Sequence, residues 1–393
     1  MKPEVAPTSK ANAARREIES QAHGKSIVLV TGSTGLIGSK IIEAFASDYR
    51  VVGLDVKRPK EQVAGAEWIE CDVTQDESVL RSLATVRERY SDSLTSVIHL
   101  AAYYDFSGEP SPLYRTLTVE GTRRLLRALQ QFKVEQFVFS STLLVMKPVE
   151  EDEVITEGSG IESEEETWDY PRSKIEAERV IREECGAIPT VILRIAGVYD
   201  HNCHSIPIAQ QVSRIYEKKL ESYFFPGDAG HGQPFVHMND LVDCFRKVVD
   251  LRREVDPHEL FLIAEPDVMS YADLQDQIGE LIHGQEWPTI RVPKVVAKAG
   301  AWVQEKMPGE EETFIKPWMI DLADAHYPVE IARARQILGW EPQHLLRNTL
   351  SRMIGDLKTD PRRWYQKNKL TWPEDEQQKP AETKRASTQR ILK

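Results

Sequence analysis

The sequence predicts an α/β fold: a doubly wound parallel sheet followed by a smaller C-terminal lobe. Three observations predict it. Short apolar runs alternate with segments of helical period through the first half of the chain. A glycine-rich turn, Thr31-Gly32-Ser33-Thr34-Gly35-Leu36-Ile37-Gly38, separates the first such run from the first helical segment. From about Tyr199 the alternation gives way to shorter segments broken by prolines and glycines. Apolar strands alternating with helices imply a parallel sheet covered on both faces.

Each element has its own justification. Ser26–Val30 is a short apolar run and the first strand. Leu36–Tyr49 is a helix, because Ile41, Ile42 and Phe45 share one face. Val51–Asp55 is the second strand and ends in a carboxylate; Trp68–Cys71 is the third and Ser96–Leu100 the fourth. A helix follows over Leu113–Phe132, then a fifth strand over Gln136–Ser140. A long acidic loop, Glu150 to Thr167, leads into a helix carrying Tyr170, and Thr190–Leu193 is the sixth strand. Ser270–Ile282 and Ile331–Leu338 read as helices, and Val295–Val303, with Trp302, as a lobe helix or a lid.

The implied division is a polar tail over 1–24 (helical around Ala11–Ser20), a sheet domain over 25–198, a lobe over 199–370 and a second polar tail over 371–393. The stretch from about 235 to 265 is a candidate to rejoin the sheet domain.

Bulk properties exclude several classes. With 393 residues, 41% of them hydrophobic, the chain can bury a large core. A net charge of −12 leaves no basic excess to neutralise phosphates, which argues against nucleic acid as a partner. No run reaches the length of a membrane span. The four cysteines, Cys71, Cys185, Cys203 and Cys244, form no CxxC pair and suit a reducing compartment. The expectation is a cytoplasmic protein acting on a small molecule.

The glycine turn fits G-x-x-G-x-x-G between a strand and a helix. Glycines permit the tight turn and let backbone N–H groups approach a pyrophosphate at a helix N-terminus. Gly32, Thr34, Gly35, Leu36, Ile37 and Gly38 are therefore candidate dinucleotide contacts, and the sheet domain is expected to be an NAD-binding Rossmann fold. Asp55, ending the next strand, is placed to accept from ribose hydroxyls and to repel a 2′-phosphate. That favours NAD over NADP; Lys57 and Arg58 weigh the other way unless they are solvated surface charges. Asp72 and Val73 are candidates for the adenine edge, with a helix cap as the alternative.

Tyr170-Pro171-Arg172-Ser173-Lys174 carries the chemistry. Tyr-x-x-x-Lys on a helix puts a phenol and an ammonium on one face, a turn apart. A fixed positive charge beside a phenol is expected to lower its pKa.

With these motifs in order, the chain resembles the extended short-chain dehydrogenase/reductase, or NAD-dependent epimerase/dehydratase, family from about Lys25 to Leu370. His99-Leu100-Ala101-Ala102 looks like the strand that lines the nicotinamide pocket, Phe139-Ser140-Ser141-Thr142 like the segment with the active-site hydroxyl. Leu193-Arg194 and Phe235-Val236-His237-Met238-Asn239-Asp240 resemble two later motifs. The resemblance implies catalytic roles for Thr142, Tyr170 and Lys174. A one-residue slip would put Ser141 in place of Thr142. It implies cofactor contacts at Leu100, Ala101 and Ala102, with Tyr170 and Lys174 shared. It also implies a homodimer through the helices around Leu113–Phe132 and Ser173–Cys185.

Four departures narrow the reaction. Leu143-Leu144 follows Thr142 where dehydratases of the family carry Asp-Glu. Gly197 stands where sugar-nucleotide enzymes carry Asn, and Gln233-Pro234 where they carry a diphosphate-gripping Arg. Thr118-Val119-Glu120-Gly121-Thr122 replaces Asn-Val-x-Gly-Thr. The form looks more like the hydroxysteroid-dehydrogenase branch: an NAD-dependent oxidoreductase for an alcohol or ketone without a diphosphate. Lys218, Lys219 and Arg291 are the cations that could replace the missing grip. A nucleotide-sugar epimerase and a dinucleotide sensor without turnover are the alternatives. Tyr103 and Tyr104 are candidate walls of the substrate pocket, with Ser141, Thr142 and Gly197. No metal is expected; the run His201-Asn202-Cys203-His204 has too few ligands for a closed site.

Overall fold

A computed structural model describes residues 25–105, 109–164, 167–297, 320 and 323–373. The expected terminal helix at Ala11–Ser20, Glu165 and Glu166 of the acidic loop, and the part of Val295–Val303 beyond Ala297 lie outside the described residues.

The centre is a seven-stranded, wholly parallel sheet. Its strands are β1 (Ile27–Thr31), β2 (Arg50–Asp55), β3 (Ala66–Glu70), β4 (Ser96–His99), β5 (Phe137–Thr142), β6 (Thr190–Ile195) and, later in the chain, β9 (Glu259–Ile263). The spatial order is β9-β6-β5-β4-β1-β2-β3. The chain therefore reverses direction across the sheet between β1 and β4. In open α/β sheets the crevice at that switch, outside the strands' carboxyl ends, is where ligands bind. The doubly wound α/β fold expected from the sequence is the fold observed. Its seventh strand, Glu-Leu-Phe-Leu-Ile at 259–263, lies beyond the alternating half of the sequence and pairs with β6 through Phe261↔Leu193.

Helices cover both faces. On one side α1 (Leu36–Phe45) packs with α6 (Met238–Asp250). On the other lie α2 (Asp76–Arg89), α3 (Glu120–Leu129) and α4 (Asp169–Glu184). Helix α1 stops at Ala46, short of Tyr49. The segment expected as one helix over Leu113–Phe132 opens with a π-helical stretch, Tyr114–Val119, before α3. The outer edges of α3 and α4 are joined by Arg123 and Arg127 on Glu184, at 2.7 and 2.6 Å.

A short parallel pair, β7 (Gly197–Tyr199) with β8 (Phe235–His237), leads away from the sheet. Beyond it a separate core forms around α5 (Ile206–Tyr216), α7 (Tyr271–His283), α9 (Leu346–Thr359) and α10 (Pro361–Lys367). Helix α8 (Ala332–Leu338) packs near β9 instead. The acidic loop is stitched down rather than free. Ile155 is buried and bridges Val329, Glu162 N–H donates to the Val145 carbonyl, and Arg179 holds Glu164 at 2.7 Å.

Candidate active site

The glycine turn is built for close approach. Gly32 sits at φ +66°, a conformation L side chains rarely adopt, and a Cβ there would meet Ala101 N at 2.9 Å. A Cβ at Gly38 would collide with the Gly32 carbonyl. Gly35 caps α1 with no side-chain acceptor, and no acidic residue stands in the first turn. The helix N-terminus is thus left for an anion. Asp55 is fixed rather than loose: Thr34 N–H and Lys57 N–H each donate to one of its oxygens at 3.0 Å. Its remaining lone pairs can accept ribose hydroxyls. These residues fit a dinucleotide. The side chains of Lys57 and Arg58 are exposed.

Asp72 closes a local turn, accepting from Thr74 N–H and its hydroxyl at 2.9 and 2.7 Å. Val73 is buried against Gly121, where an added Cβ would come within 3.0 Å of it.

A directional chain of hydrogen bonds ties β4 to the turn. Leu100 and Ala101 N–H groups donate to Thr31 Oγ1, both at 3.2 Å. The Thr31 hydroxyl proton must then go to His99 Nδ1, 2.6 Å away. That puts the ring proton on Nε2, which donates to Thr122 Oγ1 at 3.0 Å, and Thr122 donates onward to the Thr118 carbonyl at 2.6 Å. Burial, with the Lys174 ammonium adding, pushes His99 down to about 3, so the ring is neutral. Thr118, the residue replacing the family's Asn, takes the Tyr103 N–H at 3.0 Å.

Thr142, Tyr170 and Lys174 converge at the end of β5. The Thr142 hydroxyl interacts with the Tyr170 phenol and also accepts Leu144 N–H at 3.3 Å. Lys174 is 2% exposed, donates to the Ser140 carbonyl at 2.6 Å and lies over the Phe139 ring at 4.8 Å. Burial pushes Lys174 down to about 7, against the raising effect of Glu178. The Tyr-x-x-x-Lys spacing predicts a lowered phenol. Instead burial pushes Tyr170 up to about 12, with Thr142 pulling the other way. Desolvation disfavours the charged form of both groups, and the ammonium spends its short contact on a backbone carbonyl.

The neighbouring hydroxyl is differently employed. Ser141 donates to Glu178 Oε1 at 2.6 Å, and Arg194 grips Glu178 through Nε and a terminal nitrogen at 3.1 and 2.7 Å. Glu178 and Arg194 are 1% and 5% exposed. Glu178 is not among the residues expected from sequence, although its spacing from Lys174 and Tyr170 puts all three on one helix face. Neither is Trp168, whose ring lies 5.7 Å from Tyr170. Tyr104 contacts Tyr170 edge-on at 4.8 Å, while the Tyr103 ring packs on Tyr114. Gly197 lies opposite Phe235, and a Cβ there would come within 2.8 Å of that ring. Of the run 201–204, His204 pairs with Asp200 at 2.7 Å, and Cys203 Sγ donates to the Ser205 carbonyl.

Comparison with known proteins agrees with this architecture. The NAD dependent epimerase/dehydratase family model matches residues 28–264, more than half of the chain. The chain belongs to that family, whose members are NAD-dependent enzymes. It is 21% identical over 345 residues to a decarboxylating sterol-4-alpha-carboxylate 3-dehydrogenase of Candida albicans, covering 80% of this chain and 93% of that one. It is 22% identical over 349 residues to a 3-beta-hydroxysteroid dehydrogenase of Mycolicibacterium neoaurum, covering 80% and 87%. Among solved structures, the Bacillus cereus UDP-glucuronic acid 4-epimerase with UDP-glucuronic acid and NAD superposes with a TM-score of 0.63 at 19% identity, covering 85% and 99%. That likeness is one of fold. Among the described residues no helix is long and apolar enough to cross a membrane.

Proposed function

We propose that this enzyme interconverts an alcohol and a ketone on a largely apolar substrate without a diphosphate. The observation that carries the reading is the meeting of Thr142, Tyr170 and Lys174 at the open end of β5, beside the crevice between β1 and β4. Gly32, Gly35, Gly38 and Asp55 would hold NAD, with Leu100, Ala101 and Ala102 beside it. Bound there, NAD accepts or returns the hydride. Thr142 and Tyr170 hold the substrate oxygen between two hydroxyls. With its pKa raised to about 12, Tyr170 is a neutral phenol and carries the proton a carbonyl oxygen would take. Lys174 holds the nicotinamide ribose and favours the phenolate after transfer.

Three features support the substrate class. Tyr104, Tyr170 and Trp168 form an aromatic wall. The Gly197–Phe235 contact leaves no room for the side chain that sugar-nucleotide enzymes place there. Two candidate replacement cations are already paired, Arg291 with Asp228 at 2.9 Å and Lys219 with Glu217 at 3.3 Å. The two sterol and hydroxysteroid dehydrogenase relatives align over most of the chain and point the same way. The helical core around α5, α7 and α9 is the substrate side in this proposal.

The test follows cofactor absorbance against hydroxysteroids, simple ketones and nucleotide sugars, beside Tyr170→Phe. Turnover of an apolar alcohol or ketone, lost by about 100-fold or more in Tyr170→Phe with NAD affinity kept, is expected. Full turnover in that variant would remove Tyr170 from the chemistry. The second reading, a nucleotide-sugar epimerase, is favoured by the solved neighbour with UDP-glucuronic acid. Retained NAD with sugar interconversion and no net cofactor reduction would establish it instead.

A further inference from the structure

Outside the Tyr170 centre, three histidines from distant parts of the chain meet. His201 follows β7, His237 ends β8 and caps α6, and His344 precedes α9. One ring nitrogen from each lies within 4.8 Å of the others. The His237 and His344 rings stack at 4.0 Å, and His201 lies 4.6 Å from His237. Two of the nitrogens are buried without a partner: His201 Nδ1 and His237 Nε2, the latter on a side chain only 1% exposed. Buried polar atoms are ordinarily satisfied, so two orphans within one cluster of three histidines ask for an occupant.

We propose that His201, His237 and His344 bind a borderline divalent cation of the Zn2+ class. The surroundings of His344 are those of a metal ligand. Its Nδ1 meets Asp240 Oδ1 at 2.9 Å, and its backbone N–H donates to Asp240 Oδ2 at 2.9 Å. Asp240 thereby fixes the ring and leaves Nε2 with its lone pair, the carboxylate–histidine pairing that commonly backs metal-bound imidazoles. Three imidazoles without a carboxylate in the set suit zinc, cobalt or copper rather than magnesium or calcium, which take oxygen ligands. A fourth position is left for water.

Binding asks two adjustments of the protein. Zinc–nitrogen bonds of about 2.0–2.1 Å in tetrahedral geometry require nitrogens about 3.3–3.4 Å apart, so the rings must close in. His201 lies in a turn outside the helices and supplies that movement, while Asp240 holds His344 in place. His237 Nδ1 accepts the Asn239 N–H at 3.2 Å, which puts its ring proton on Nε2 in the metal-free protein. Coordination at Nε2 moves the proton to Nδ1 and gives up that one long cap bond, a small loss against three metal–nitrogen bonds. The ion would clip the strand pair β7–β8 and the start of α6 to the lead-in of α9. It takes no group from Thr142, Tyr170 or Lys174.

The experiment strips the full-length protein of metal and titrates Zn2+, Co2+ and Mg2+ by equilibrium dialysis. One Zn2+ or Co2+ per chain is expected, with no response to Mg2+. Removing a metal's supporting partner costs about 10–100-fold in affinity, so removing a ligand should cost about 100-fold or more. His201→Ala and His344→Gln should each show that loss, judged beside their metal-free urea midpoints. His204→Ala should keep the affinity. So should His231→Ala, which alters a second possible ligand group, Glu151, Asp228 and His231. The wild-type Co2+ form gives a readout that needs no variant: its paramagnetically shifted proton spectrum should show three ligand imidazoles. No binding, fewer than three shifted imidazoles, or loss of binding in His231→Ala with His201→Ala unaffected would each overturn the proposal.

Discussion

Replacing Lys174 by methionine should stabilise the cofactor-free protein most at neutral and acidic pH, and the gain should disappear in alkali. Lys174 is 2% exposed, and burial brings its pKa from 10.5 down to about 7. Between those values the unfolded chain holds a proton that the folded chain has released. Unfolding free energy then rises with pH by about 1.4 kcal/mol per pH unit from this group alone. Over an interval of about 3.5 pH units the contribution reaches about 5 kcal/mol. Below pH 7 the folded protein carries the whole cost of a buried ammonium; above 10.5 it carries none. Methionine fills a similar volume and has no such cost. Urea unfolding of both proteins at pH 6.5, 8 and 9.5 isolates the effect, because the other titrating groups cancel in the difference. The variant's advantage should shrink steadily across the series, and loss of half the expected amount would still be well resolved. A difference that stays flat between pH 6.5 and 9.5 would mean that Lys174 titrates as in solution, refuting the burial argument for Lys174.

Glu265→Gln should show the opposite pH sign. Burial raises Glu265 from 4.5 to about 8, so the folded protein keeps a proton that the unfolded chain loses, and wild-type stability falls as pH rises through that window. The glutamine variant should gain on wild type between pH 5 and 8 in urea unfolding; a constant offset would sink the idea. Gly38→Ala should destabilise by about 1–3 kcal/mol, because the new methyl overlaps the Gly32 carbonyl, and should weaken NAD binding in a fluorescence titration. Unchanged NAD affinity would show that the turn does not hold the cofactor.

The sequence made some of this legible because the relevant relations are local or periodic. The glycine turn and Asp55 sit at the ends of adjacent apolar runs, and Tyr170 and Lys174 are one helical turn apart. What it hid depends on how distant segments meet. Thr31, His99 and Thr122 form one hydrogen-bond chain only because β1, β4 and α3 are neighbours in space. His201, His237 and His344 lie on three separate segments, whereas spacing drew the eye to His204, which pairs with Asp200 instead. The direction of the Tyr170 shift was also out of reach. The sequence shows that a cation is near the phenol, not that the cation is buried or that it rests on the Ser140 carbonyl.

Burial also explains why Ser141 and Thr142, adjacent and chemically alike, serve different ends. Tyr170, Lys174 and Glu178 follow one another along one face of α4, running from the open end of the sheet into its core. At the deep end Glu178 would be an uncompensated buried charge without Arg194 from β6 and the Ser141 hydroxyl from β5. In the middle, Glu178 favours the protonated form of Lys174 against burial. At the open end Tyr170 meets Thr142. In the proposed reaction the column would keep its fixed charges away from the substrate and its exchangeable proton, on Tyr170, beside it. Ser141 satisfies the inner end and Thr142 faces the outer one. Replacing Ser141 should therefore act first on stability, and replacing Thr142 on turnover.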